Sequence, residues 1–271
     1  MRSYAVVNLK GGSGKTTTAL CLAVGLARCR RRVLLIDADP QGNASMTMLE
    51  GATPEAPTLG HVLLDQVDPG DAVRATRVKG LDILPADAGL ADAAMLLADH
   101  LGREKRLRIA LQELTSDYDF AVVDGAPHLN LVTINVLNAV DDLIVPVDAG
   151  LYSLAGLGRL QGTVDQVKRY LDNPRLRIAG LLLTRTHNNR ATKDIAGQLR
   201  DAFGGLVYSA AVPHSVRVEE AHARHRSVLE FAPTSAPAKA YESLVKEVLT
   251  DGQQHQGGSA ASPDADPADA A

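Results

Sequence analysis

The stretch Lys10-Gly11-Gly12-Ser13-Gly14-Lys15-Thr16-Thr17 limits the possible folds more than any other part of this 271-residue chain. It follows an apolar run, Tyr4-Ala5-Val6-Val7, and leads into a helical pattern that begins near Lys15. Glycines let successive backbone N–H groups converge on one anion with no Cβ in the way. A helix starting at the same place adds the positive end of its dipole. Strand, glycine turn and helix together predict a phosphate-cradling loop. Lys15 then reaches the β- and γ-phosphates of a nucleotide, and the Thr16 hydroxyl serves Mg²⁺. The usual G-x-x-x-x-G-K-[ST] pattern fails by one residue, because Leu9 stands in place of its first glycine. A second lysine, Lys10, stands at the mouth of the loop instead. A chance glycine turn flanked by lysines is the competing reading; the strand before, the helix after and the Lys-Thr offset favour the nucleotide site.

A loop of this kind leaves the edge of a parallel sheet, and the rest of the chain supplies one. Val33-Leu34-Leu35-Ile36-Asp37 and Tyr118-Asp119-Phe120-Ala121-Val122-Val123-Asp124 contain unalternating apolar runs, as expected of strands buried on both faces. The first ends in Asp37-Ala38-Asp39-Pro40-Gln41-Gly42-Asn43. That places two carboxylates on the ligand-binding edge of an open α/β sheet, although a plain turn favours the same residue types. The second has the form of a Walker B element, whose Asp124 binds Mg²⁺ directly or through water. Further strands are predicted at 4–8, 81–85, 143–147, 178–183 and 206–212, the last near an edge. Helices are predicted at 15–29, 58–65, 70–75, 89–99, 103–115, 130–140, 190–203, 215–224 and 236–249, with another capped by Ser153. This alternation predicts an α/β fold: a single doubly wound domain over residues 1–250, its sheet mainly parallel and roughly seven-stranded, flanked by helices. Residues 251–271 offer nothing to bury and are expected to form a disordered acidic tail.

Composition removes several classes. No run of eighteen or more apolar residues occurs, so no membrane span is expected. A strand starting by residue 4 leaves no room for a signal peptide, so the expected compartment is the cytoplasm. Cys21 and Cys29 share one predicted helix and read as small buried hydrophobes, not a disulfide or metal pair. The formal charge of −4 equals the contribution of Asp251, Asp264, Asp266 and Asp269, so the body is neutral. Within it, residues 185–226 carry seven Lys/Arg against four Asp/Glu, plus four histidines, which predicts a modest basic surface. Glu219, His222 and His225 have the spacing of one face of a metal site. No fourth ligand lies in sequence reach, so no metal role is assigned to them.

These segments resemble the ParA-type partition ATPases of the Soj kind, within the deviant-Walker MinD/ParA group of P-loop ATPases. The resemblance spans residues 3 to about 249 and is carried by Lys10–Thr17, Val33–Asn43, Tyr118–Pro127 and Val212–Glu220. The third segment departs from Asp-x-Pro-Pro by reading Asp124-Gly125-Ala126-Pro127. The resemblance implies ATP and Mg²⁺, with the nucleotide held by Lys10, Gly11, Gly12, Ser13, Gly14, Lys15, Thr16 and Thr17. Thr16 and Asp124 serve the metal. Lys10 becomes the signature lysine that crosses a sandwich homodimer to the partner subunit's ATP, and Asp39 positions or activates the attacking water. Pro213 and Ser215 stand where the family lines the adenine with a Pro-Arg-Asn stretch. The resemblance further implies binding to double-stranded DNA without sequence preference, through Arg217 and Arg190, and association with the nucleoid. It also implies a ParB-type centromere-binding partner that triggers an otherwise slow hydrolysis, and the short form of the family without an N-terminal helix-turn-helix.

Three rival functions follow from the same motifs. A MinD-like membrane-surface positioning ATPase needs a basic amphipathic C-terminal helix, which the acidic, proline-containing tail opposes. A reductase like the nitrogenase iron protein needs cysteines between subunits to hold an iron–sulfur cluster, and Cys21 and Cys29 do not match. A non-catalytic nucleotide switch is separated from an ATPase by measuring steady phosphate release.

Overall fold

In the computed structural model, which describes residues 1–148 and 153–257, the apolar runs become the strands of one sheet. They are β1 (Arg2–Val6), β2 (Val33–Ala38), β3 (Arg74–Ala75), β4 (Leu81–Leu84), β5 (Phe120–Gly125), β6 (Asp142–Asp148), β7 (Arg177–Thr186) and β8 (Val207–Pro213). The order across the sheet is β3-β4-β2-β5-β1-β6-β7-β8, parallel except for the β3–β4 pair. Throughout β2 and β5 every residue is buried. That is why their sequences show continuous Val, Leu and Ile with no polar alternation.

The helices are α1 (Lys15–Arg28), α2 (Asn43–Met48), α3 (Leu59–Leu63), α4 (Pro69–Ala72), α5 (Gly89–Leu96), α6 (Arg106–Glu113), α7 (Leu131–Ala139), α8 (Ser153–Tyr170), α9 (Arg190–Phe203), α10 (Val216–His222), α11 (Val228–Phe231) and α12 (Ala236–Gly257). They build two apolar layers, one on each face of the sheet. α1, α11 and α12 cover one face, and α3 with α5 to α9 cover the other. Buried from Thr17 to Ala27, α1 lies between the sheet and α12. Gly25 permits that closeness: a Cβ there would lie 2.5 Å from Val245 Cγ2.

β1 sits between β5 and β6, with β2 on the far side of β5. Val6 is level with Asp124, and Asp124 with Asp37. The glycine loop and both acidic strand ends therefore leave the same edge of three adjacent strands, where open α/β sheets bind ligands.

The predicted architecture holds, with β8 at an edge, and several boundaries move. The sheet has eight strands, because β3 replaces the end of the helix expected at 70–75. That helix stops at Ala72, where Val73 turns extended. The Arg74 guanidinium secures the corner, donating to the carbonyls of Asp71 at 2.6 Å and Val73 at 3.0 Å. A two-residue strand has no period for a sequence to display. The helix expected at 89–99 finishes as a 3-10 turn, Leu97–Asp99. α12 runs to Gly257, past the predicted boundary at 250. The tail from 258 and the capping side chain of Ser153 lie outside the described residues. Cys21 is buried as expected, but Cys29 is exposed, because it is the C-cap of α1 where the helix leaves its packing.

Candidate functional site

Asn8 pins the chain as it leaves β1. Its Nδ2 donates to the Pro146 carbonyl at 2.7 Å, and its Oδ1 accepts from the Lys10 N–H at 2.9 Å. Gly12 and Gly14 follow with φ of 70° and 87°, a region where a side chain is strained. β7 holds the loop from its other side: the Thr184 hydroxyl donates to the Ser13 carbonyl at 2.9 Å, and the Arg185 guanidinium to the Gly12 carbonyl at 3.2 Å. α1 then begins with Gly14 as N-cap and no side chain capping it. Its first N–H groups thus remain open to an anion.

The two loop lysines point in different directions. Lys15 is 7% exposed, and its Nζ donates to the Lys10 carbonyl at 3.2 Å. Burial lowers its pKa, with Asp124 and Asp39 acting in opposition. Lys10 lies at the rim with its side chain about half exposed, and its Nζ meets Asp148 Oδ2 at 3.1 Å.

Three carboxylates share the sheet edge in different surroundings. Asp37 is buried and accepts from the Ser45 N–H and hydroxyl, both at 2.8 Å, and from the Asp39 N–H at 3.2 Å. Burial pushes its pKa up to about 6 against those hydrogen bonds. Asp39 is only half-buried in the cavity wall, its Oδ1 accepting from the Gln41 N–H at 3.0 Å. Asp124 is fully buried, and neither of its carboxylate oxygens has a hydrogen-bond partner. Burial, and then Asp37, raise its pKa well above the usual range, while the nearby Thr16 hydroxyl and Lys15 oppose the rise. Two orphan oxygens on a buried carboxylate are costly unless a cation reaches them.

A cavity of about 530 Å³ opens over the loop. Gly11, Gly14, Thr16, Thr17 and Asp39 line it together with Pro213, Ser215 and His222. Pro213 ends β8, and Ser215 caps α10 by accepting from the Arg217 N–H at 3.3 Å. His222 Nε2 lies 3.1 Å from the Thr17 hydroxyl oxygen, which ties α10 to the first turn of α1. Among the described residues no three His, Cys, Asp or Glu side chains are grouped to hold a metal ion, so Glu219, His222 and His225 form no such set.

Of the predicted nucleotide residues, Gly11, Gly12, Gly14, Lys15, Thr16, Thr17, Pro213 and Ser215 line this one cavity. Lys10, turned to Asp148, and Ser13, fully buried, do not, and Arg190 and Arg217 lie away from it. Their side chains are 96% and 58% exposed and pair within their own helices, with Asp194 at 3.8 Å and Glu220 at 2.9 Å. Asp148, Thr184 and Arg185 carry no signature in the sequence. His222 drew notice only for its spacing to other ligand-type residues. Each meets the loop or α1 from 138 to 205 positions away, a separation no local pattern records.

The AAA domain family (AAA_31) matches residues 1–178. A chromosome partitioning protein ParA from Caulobacter vibrioides is 40% identical over 253 residues, covering 92% of this chain and 94% of its own. The sporulation initiation inhibitor protein Soj of Bacillus subtilis is 38% identical and covers 92% of this chain and 98% of its own. Among solved structures, cobyrinic acid a,c-diamide synthase from Mycobacterium smegmatis with bound ATP analogue and magnesium superimposes with a TM-score of 0.82. It is 30% identical and covers 94% of this chain and 97% of its own.

Proposed function

The chain belongs to the ParA/Soj-type partitioning ATPases, and from that premise we propose that it segregates DNA by a cycle of ATP-driven dimerisation, non-specific DNA binding and hydrolysis-coupled release. ATP with Mg²⁺ occupies the cavity over the glycine loop. The buried, unpartnered oxygens of Asp124 fit a divalent cation that keeps most of its other positions for water and phosphate, with the Thr16 hydroxyl beside it. Bound beside Asp124 and Thr16, Mg²⁺ would supply charge neutralisation for the nucleotide's phosphates. Lys15 faces the same phosphates from inside the loop. Asp37 is engaged by Ser45, which leaves Asp39 as the carboxylate able to orient the attacking water.

One observation carries the dimer: the division of the two lysines. Lys15 is committed to its own loop, whereas Lys10 stands at the rim, where a second subunit can be reached. Joining a partner in this reading exchanges Asp148 for that subunit's phosphate. Hydrolysis stays slow until dimer and a ParB-type partner complete the site. Arg190 and Arg217, exposed and held only by surface ion pairs of small worth, are open to exchange for DNA phosphates.

The test is sizing, phosphate release and duplex DNA binding with ATP, ADP or no nucleotide. The wild type should dimerise and bind DNA only with ATP. Lys10→Ala should bind ATP yet lose dimerisation, hydrolysis or both. Asp39→Ala should dimerise and remain on DNA while hydrolysis falls by about 10²-fold. DNA affinity equal in all three nucleotide states would defeat the cycle.

A further inference from the structure

Arg185 follows Thr184 near the end of β7, and its backbone φ is 52°. Residues with a Cβ seldom take this left-handed conformation, and where they do the strain often marks a functional position. A glycine would satisfy the turn, so the reason for an arginine lies in its side chain. Its guanidinium donates to the Gly12 carbonyl at 3.2 Å and lines the cavity over the loop, on an exposed residue. Among the described residues no carboxylate pairs with it. Lys10, by contrast, is paired with Asp148, and Lys15 is buried in the loop. A guanidinium resting on a neutral carbonyl beside a phosphate cavity has a stronger partner available, since its fork matches phosphate oxygens with charge on both sides of the bond.

We infer that Arg185 is a further catalytic residue, which contacts the terminal phosphate of the nucleotide bound in its own subunit. This rests on the reading of the cavity as an ATP site. In the hydrolysis, water adds to the γ-phosphorus as the bond to the β–γ bridging oxygen breaks. The products are ADP and inorganic phosphate, and one water proton is released. Charge moves onto the bridging oxygen and the outer γ-oxygens during that step. Arg185 stabilises it in cis, whereas Lys10 acts across the dimer. A role at the terminal phosphate alone leaves ADP binding unaffected.

The experiment takes the full chain and compares Arg185→Gly, Arg185→Ala and Arg185→Lys with the wild type. Steady phosphate release is measured over an ATP series, ADP affinity with a fluorescent analogue, and melting temperature without nucleotide. Glycine removes both the guanidinium and the backbone strain; alanine removes only the guanidinium. The inference expects kcat to fall at least about tenfold in both, and lysine to retain more of the rate than either. ADP affinity should change by less than about threefold, and the glycine variant should melt near the wild type. Wild-type kcat in the glycine and alanine variants overturns the inference. So does a fall in kcat that travels with weakened ADP binding and a lowered melting temperature, because that is the mark of a structural role. A wild type that neither binds nor hydrolyses ATP removes the ATP reading, and this inference falls with it. An active wild type beside fully active variants removes the Arg185 assignment alone.

Discussion

The Lys15 ammonium donates to a backbone carbonyl, and the residue is buried. Burial already disfavours its charged form, so bound phosphate meets a cation with little solvation to lose. Lys15→Ala is expected to lower ATP affinity by at least about 10²-fold, since an interior charge–phosphate contact is worth several kcal/mol. Titration with a fluorescent ATP analogue checks this, and unaltered affinity would mean that the loop does not hold the phosphates. Asp37 offers a test by pH. Its carboxyl titrates higher in the folded chain, at about 6, than the ordinary 3.8. The folded state therefore binds the extra proton, and this group's contribution to stability is full below about pH 4 and lost as pH rises through 6. Asp37→Asn, which cannot ionise, should gain on the wild type in melting temperature between pH 4 and pH 7, without nucleotide or Mg²⁺. A gap that does not change with pH would show that Asp37 ionises at no cost.

Glycine positions decide how the elements approach one another. α1 reaches α12 because Gly25 has no side chain, and Gly25→Ala would force Val245 to move in a layer packed on every side. Overpacking of that sort costs about 1–3 kcal/mol. Urea unfolding should show a loss of that size, reduced when Val245→Ala is added, because the two side chains compete for one volume. If the losses simply add, crowding between these two residues is not the cause. The same geometry acts at Gly125, the free position of Asp124-Gly125-Ala126-Pro127; nothing in the structure explains the Ala126 that stands where the family has its first proline. A Cβ at residue 125 would lie 2.8 Å from Val7 Cγ1 and 3.1 Å from the Val6 carbonyl oxygen, so the space that a side chain there would use is taken by Val7.

At the scale of the whole molecule, the proposed cycle couples nucleotide to DNA by duplicating the exposed arginines Arg190 and Arg217 through dimerisation. In the proposed cycle, two copies of a weak phosphate-binding patch would act together in one complex, so a dimer would bind far better than a monomer. Phosphate binding of this kind is indifferent to sequence and falls steeply with salt. Arg217→Ala with Arg190→Ala should weaken binding to any duplex in the presence of ATP. The salt slope should flatten by about one for each DNA phosphate that an arginine no longer neutralises, counted in both halves of the dimer. ATP-dependent dimerisation, followed by sizing, should survive. A salt series on two unrelated duplexes decides the matter: full-strength binding, or strong preference for one duplex, would place the DNA surface elsewhere.

The sequence alone was enough for the features that depend on neighbouring residues. A glycine loop between an apolar run and a helix, acids closing two unalternating runs, and regular alternation of strand and helix are local facts, set by sterics and periodicity. They sufficed for the fold class and for setting the glycine loop and the acids Asp37, Asp39 and Asp124 at one sheet edge. What they left undecided is long-range. The place of β1 between β5 and β6 comes from packing helices on both faces of the sheet. Only that packing buries Asp37 against Ser45 and leaves Asp39 in the cavity wall. It also turns Lys15 inward and Lys10 toward Asp148, and it brings Thr184, Arg185 and His222 to the loop from the far end of the chain. The two-residue β3 and the exposed Cys29 escaped for the converse reason: one is too short to show a period, and the other owes its exposure to where α1 stops being covered. Burial and partnership arise between segments far apart in the chain, and no stretch of sequence carries a record of them by itself.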